Sequence, residues 1–458
     1  MRRSKANKLR GYGGAEGHGG AEGEAVGREP TSAYGYATAA IFLLGIIVRM
    51  LYIHNTPYDV RQHDLTGGYE QLSYIMHFTQ QWTLPDTNVS QYYHPPLHHM
   101  LCALWIRLQR LVNTGIDVGE SIENVQYLTA LYSSLFMVIA NRIYAQLKLH
   151  RQFLFMATAV TALHPTLIIL SGSINNDMLA ILLYASALLW AMKWWDEQSA
   201  RNTVLLALFI GLGMMAKIGN ATLAFVVAPF FLAKLLQSEG RQQRERLFSK
   251  FALFGLISLP LGMWHPVRNL VLFGQSFGYV PALTVGGWLD RSAYSLTERV
   301  LSFPLGQLLN GPYVNVAADY NLPIYTLKCS LFGEWVYDEG FFRLANALLT
   351  VNILLVIMSL VAMVYIAISK RRAKHIMLLV CWAVQALSIT SLYIANPFTC
   401  SMDFRYIVPT MVCGAGFIGL AAQRLSEERA GLWKALRFMV YPSAAAFTVA
   451  SVLFMGRV

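Results

Sequence analysis

Charge is scarce in this chain: Asp, Glu, Lys and Arg make up 13% of its 458 residues, against roughly a quarter in soluble globular proteins. Hydrophobic residues make up 55% and the mean hydropathy is +0.43. That does not fit a water-solvated fold, and lipid is the natural place for the surplus apolar surface. Cysteine is also sparse. Cys102, Cys329, Cys381, Cys400 and Cys413 are scattered with no CxxC pair, which argues against a disulfide framework or a thiolate metal site. An incidental pair among Cys102, Cys329 and Cys400 requires all three to face outside. The N-terminal stretch lacks the apolar core of a signal peptide. Residues 1–33 are basic, then rich in Gly, Ala and Glu, and are expected to form a disordered cytoplasmic tail because they offer too little apolar surface to offset ordering entropy.

What is present is a series of long apolar runs. Segments able to cross roughly 30 Å of hydrocarbon fall near 36–53, 125–147, 152–170, 176–195, 202–217, 219–236, 251–267, 345–368, 375–395, 406–423 and 436–456. The fold class expected is therefore an all-α polytopic membrane protein of about eleven transmembrane helices. Residues 34–458 form a single membrane domain. Segment 94–112 is ambiguous, because His94, His98, His99, Arg107 and Arg110 are costly at membrane depth. The net charge of +11 resolves it. If 94–112 lies in the interface, the basic groups at Arg2–Arg10, Lys148/Arg151, Lys234–Lys250, Lys370–Lys374 and Arg424–Arg437 all fall on one side. About two-thirds of the Lys and Arg are then cytoplasmic. A spanning 94–112 would flip every later basic loop. The same distribution argues against nucleic acid as a partner, since the charges sit in loops and not in a binding stripe. The N-terminus is thus expected inside, with 54–124, a turn near 171–176, 268–344 and 396–405 outside. No soluble domain is expected after the last helix.

Several outer residues carry chemistry. Asp64 follows the first span by about ten residues, so the chain keeps it near the membrane surface. Beside His63 and Arg61 it is placed to act as a base, or simply as a solvated loop acid. Tyr93 and His94 precede Pro95-Pro96, which stiffen entry to the interfacial helix; an aromatic anchor explains them equally well. Asp177 opens a span, where a carboxylate caps the positive helix end, without excluding a place in a cavity. Arg268 and Arg405 stand on the outer side, against the trend of the basic residues, and a lipid phosphate is an economical partner for either. Snorkelling, or a pair with Asp403 for Arg405, are the plainer explanations. Lys217 falls under the same argument more weakly. Glu334 and Trp335 either line a cavity or pack it.

In order and spacing these segments resemble the GT-C superfamily of polyprenyl-phosphate-sugar-dependent glycosyltransferases, with the protein O-mannosyltransferases and the bacterial aminoarabinose transferases nearest in look. The segments are Asp64 with Tyr69 and Glu70, Tyr93–Leu97, Asn175–Asp177, Gly211–Lys217, Trp264–Gly274 and Arg405–Pro409. The resemblance implies juxtamembrane helices over an extracytoplasmic cavity. It implies a polyprenyl-phosphate-linked monosaccharide as donor, a lipid, glycan or protein acceptor, and membrane lipids around the enzyme. By that match Asp64 is the general base of an inverting transfer. Arg268 stabilises the charge on the leaving phosphate, and Arg405, Lys217, Asp177, His94, Tyr93 and Glu334 line the substrate site. In one departure, Leu65 stands where many relatives carry a second acid. The compartment implied is the plasma or inner membrane of a bacterium, or the endoplasmic reticulum of a eukaryote. No cofactor is expected to be required. A divalent ion between two acids is chemically allowed, but the sequence shows no clustered ligand set, so no metal site is expected. The alternatives are a transporter or lipid flippase, whose ionisable residues would sit near the midplane, and a non-catalytic subunit of the same fold.

Overall fold

A computed structural model describes residues 31–64, 70–369 and 371–458. Nearly all of the expected tail, together with Leu65 and Tyr69, lies outside the described residues. Among those described there is no extended sheet, only one isolated bridge between Asp290 and Phe398.

Helix α1 (Thr31–Asn55) stops just short of Pro57, whose ring disfavours helix in the residue before it. The segment after α1 holds α2 (Gln71–Gln80), α3 (Leu97–Val112) and the short α4 (Val118–Glu123), the last opened by Asp117 accepting from the Gly119 N–H. Then come α5 (Val125–Gln146), α6 (Arg151–Ala162) and α7 (Pro165–Ile169). The expected span 152–170 is therefore broken at Leu163-His164, because Pro165 supplies no N–H to continue the ladder. Next are α8 (Asp177–Asp196), α9 (Ala200–Ala216), a 3-10 turn over Ile218–Thr222, and α10 (Leu223–Leu236). Helix α11 (Arg241–Phe273) runs well past its expected end at 267. It passes through Pro260 and Pro266 and stops at Gly274, whose φ of +67° suits a left-handed helix terminus. The long segment after α11 carries α12 (Leu305–Leu309) and α13 (Leu322–Phe332). The chain closes with α14 (Phe342–Ile368), α15 (Ala373–Ala395), α16 (Pro409–Glu428) and α17 (Ala430–Met455).

Eight helical stretches among the described residues are long and apolar enough to cross a membrane. The three other expected spans fall on the broken α6–α7 pair, on α9 with its 17 residues, and on α16, which is richer in Gly and polar residues. Helix α3 is not one of the eight. It buries His98, His99, Cys102, Ala103 and Ile106 on one face and exposes Leu104, Leu108, Leu111 and Val112, an amphipathic pattern suited to an interface.

Two helices form the centre. Helix α8 is buried almost throughout, against α5 and α9, and α16 is buried from Pro409 to Ala422 among α6, α14 and α15. Both are apolar all round, as enclosed helices are. The small residues of α16 permit that enclosure: a Cβ on Gly419 would stand 2.8 Å from Leu149 Cδ1. The two central helices begin at the same level, and the segments feeding them meet there.

Candidate active site

Arg405 sits at this meeting point, in a 3-10 turn that leads into α16. Three carboxylates from separate parts of the chain converge on its guanidinium. Asp64 Oδ2 lies 3.2 Å from Nη2, Asp177 Oδ2 3.3 Å from Nη1, and Asp403 Oδ2 3.1 Å from Nε. The Arg405 side chain is only 6% exposed, so these contacts are little screened. The second cation, Lys217, stands where α9 ends; it pairs with the other Asp177 oxygen and lies over the Tyr406 ring. Asp177 is thus not a helix cap. The cap position is Asn176, and the Asp177 carboxylate turns sideways to the two cations.

Backbone clamps explain how the segments find one another. Gln62 donates to Gly172 O (2.8 Å) and accepts from Ile174 N–H (2.9 Å). This fixes the residue two before Asp64 against the loop that carries Asp177. Gln126 donates to Gly172 O and Thr56 O, and His98 of α3 reaches Ile174 O at 2.8 Å. Asn176 donates to Ala216 O, which seats Lys217 beside Asp177. Gln62 and Gln126 did not stand out in the sequence, since a lone Gln carries no spacing signal; His98 was noted only for its cost at membrane depth, and Asn176 only within the Asn175–Asp177 segment. Asp64 itself has φ +52°, a left-handed conformation that Asp tolerates better than most residues.

The cluster borders a cavity of about 540 Å³. Asp64, Asp177, Lys217, Arg405, Tyr93 and His94 all line it. Its lining also includes Ile181 and Tyr184 of α8, Gln385, Ser388 and Leu392 of α15, and Val280, Pro281 and Leu283 of the segment after α11. Both α8 and α15 belong to the candidate membrane spans, so the charged cluster shares its cavity with two helices of the bundle.

Two expected residues stand elsewhere. Arg268 does not line this cavity. Because α11 continues through it, its guanidinium points to Pro85 O (3.1 Å) and Asn269 Oδ1 (3.3 Å) and packs over Phe273. Glu334 is also off the cavity lining; it accepts from Tyr325 O–H at 2.6 Å and lies 3.9 Å from His63.

The electrostatics divide the acids. Burial pushes the Asp64 carboxyl up, but Arg405, His63 and His94 outweigh it and hold it below the usual carboxylate range. Its side chain keeps 42% exposure, and it opens to the cavity. Asp403 is driven far lower against its burial, chiefly by His63 and Arg405. Glu334 is pushed up by burial and by Asp403. Burial together with Lys217 lowers His94 to about 3, so it is a neutral imidazole near neutral pH, paired with Gln91 Oε1 at 2.9 Å, and cannot serve as a phosphate-binding cation. The five cysteines are free.

No family model matches the chain, and no curated protein matches it. Among solved structures, it is similar to ArnT from Cupriavidus metallidurans in the apo state, with TM-score 0.52 and 15% identity over 92% of this chain and 76% of that one. The same enzyme bound to undecaprenyl phosphate gives TM-score 0.50 and 15% identity over 93% and 76%. The Archaeoglobus fulgidus oligosaccharyltransferase tethered with an acceptor peptide gives TM-score 0.51 and 14% identity over 92% of this chain and 55% of that one, so this chain spans about half the archaeal enzyme. At such identities the likeness is one of fold, and it is the GT-C fold that the order of the motifs implied.

Proposed function

We propose that this protein is an integral membrane glycosyltransferase, one that moves a monosaccharide from a polyprenyl-phosphate donor to an acceptor hydroxyl on the extracytoplasmic face. The observation that supports this best is that Arg405 and Lys217 line one cavity together with residues of the membrane-length helices α8 and α15. An anionic head with a long apolar tail matches that combination. Solved relatives by fold include an enzyme bound to undecaprenyl phosphate, which is in keeping with such a donor.

The chemistry follows from the charge balance. With no donor bound, Arg405 is neutralised by Asp64, Asp177 and Asp403. A donor phosphate entering beside Lys217 competes for the guanidinium, and a planar fork favours a bidentate phosphate. Asp64 then loses its cation, so its proton affinity rises. The acceptor O–H gives its proton to Asp64, the oxygen attacks the anomeric carbon, and the carbon–oxygen bond to the polyprenyl phosphate breaks with inversion. Arg405 and Lys217 stabilise the charge left on that phosphate. No cofactor or metal enters these steps.

The test is sugar transfer by purified protein in detergent, offered a panel of polyprenyl-phosphate monosaccharides. Consumption of one donor, with the sugar appearing on an acceptor, is the expected result. If lipid phosphate binds and no donor in the panel is consumed, a flippase or a non-catalytic subunit of this fold takes its place.

A further inference from the structure

Beside the cavity, and off its lining, three ligand-bearing side chains from distant segments meet. They are His63 of the segment after α1, Glu334 of the segment after α11, and Asp403 of the turn before α16. One ligand atom from each lies within 4.8 Å of the others. His63 Nε2 is 3.0 Å from Asp403 Oδ2 and 3.9 Å from Glu334 Oε2. Ligands on a tetrahedral zinc ion, with bonds of about 2.1 Å, stand about 3.4 Å apart. The spacing therefore brackets what a zinc site requires.

Two further observations point to an ion. His63 is 7% exposed and Asp403 2%; His63 Nε2 faces Asp403 Oδ2 at 3.0 Å out of hydrogen-bond alignment, and His63 Nδ1 has no hydrogen-bond partner. Buried polar groups seldom go without one. Arg405 Nε also approaches Asp403 Oδ2, at 3.1 Å and likewise out of hydrogen-bond alignment. The ring of His63 packs edge-on to Trp335 at 4.5 Å, which fixes its orientation. On the far side of Asp403, the Cys329 thiol donates to Oδ1 at 3.0 Å, which orients the carboxylate. An imidazole with two carboxylates suits zinc better than magnesium or calcium.

We propose that His63, Glu334 and Asp403 bind a divalent transition metal of the zinc class. Its role is that of a structural clasp. His63 precedes Asp64 directly, and Asp403 is two residues before Arg405, so an ion held there fixes the Asp64 and Arg405 segments against each other and against the 334 loop. It touches no reacting atom. The site stands whether or not the protein transfers sugar, because its evidence is the ligand geometry alone.

The test uses the full chain, with any affinity tag removed, equilibrated with ZnCl₂ in detergent and desalted before elemental analysis. About one zinc per chain is expected for wild type, and His63→Ala and Glu334→Gln should each lower occupancy tenfold or more. Glu334→Gln is the milder change, and a normal gel-filtration profile shows that the variant remains folded. Cobalt substitution should give the visible bands of a tetrahedral ion in wild type and lose them in both variants. Wild type without bound zinc, or folded variants that keep full occupancy, would overturn the proposal.

Discussion

Arg405 matters because it is one cation facing three carboxylates. Removing it leaves Asp64, Asp177 and Asp403 crowded without their shared partner, and breaking a buried pair from one side costs about 3–5 kcal/mol. Arg405→Ala should therefore lower the melting temperature and abolish donor binding together, whereas Arg405→Lys should recover stability better than binding, since it keeps the charge and loses the fork. Thermal melts beside lipid-phosphate binding separate the two. Lys217 is less buried, at 20% exposure, so Lys217→Ala should raise KM for the donor with a smaller effect on stability. The pH profile carries a further sign. In the proposed mechanism the active form of Asp64 is the carboxylate, and in the free protein its pKa is depressed. The acid limb of kcat/KM should therefore fall below the ordinary Asp value of about 3.9. In the donor complex Arg405 is drawn to phosphate, the Asp64 pKa rises, and the acid limb of kcat should lie at higher pH than that of kcat/KM. Coincident limbs would remove Arg405 as the switch.

At the scale of elements, the site depends on loops held in place by amides. Gln62 alone ties the Asp64 segment to the Asp177 loop with two hydrogen bonds, each contributing about 0.5–1.5 kcal/mol. Gln62→Ala should lower kcat while leaving membrane insertion intact, as read by transfer rate against yield of monodisperse protein. Arg268, held by Pro85 and Asn269 outside the cavity, should be replaceable by Ala with unchanged donor affinity, measured by titration with the lipid phosphate. The contrast shows what a sequence conveys at this scale. Apolar runs fix where helices lie, because burial in lipid leaves a continuous signature. Helix ends are weaker signals: α11 passes through Pro266 and beyond 267, and that extension turns Arg268 away. Equally, nothing in the spacing of Gln62, Gln126 and Asn176 announces that each will bridge segments far apart in the chain. The convergence of Asp64, Asp177 and Asp403 on Arg405, and of His63 with Glu334, is a product of tertiary packing between residues as much as 341 positions apart.

For the whole molecule, the charged cluster gathers where the two buried helices α8 and α16 begin, and its cavity is lined in part by α8 and α15. This explains how a chain with so little charge can concentrate it: the bundle supplies the low-dielectric frame, and the loops supply the charges. The most direct test of the account is the transfer rate of Asp64→Asn against wild type, at matched amounts of folded protein and with the donor that wild type consumes. A general base contributes about 10²–10⁴-fold, so the variant should still bind donor and lose transfer by that factor. Transfer at the wild-type rate by Asp64→Asn would contradict Asp64 as the base and, with it, the mechanism built around Arg405.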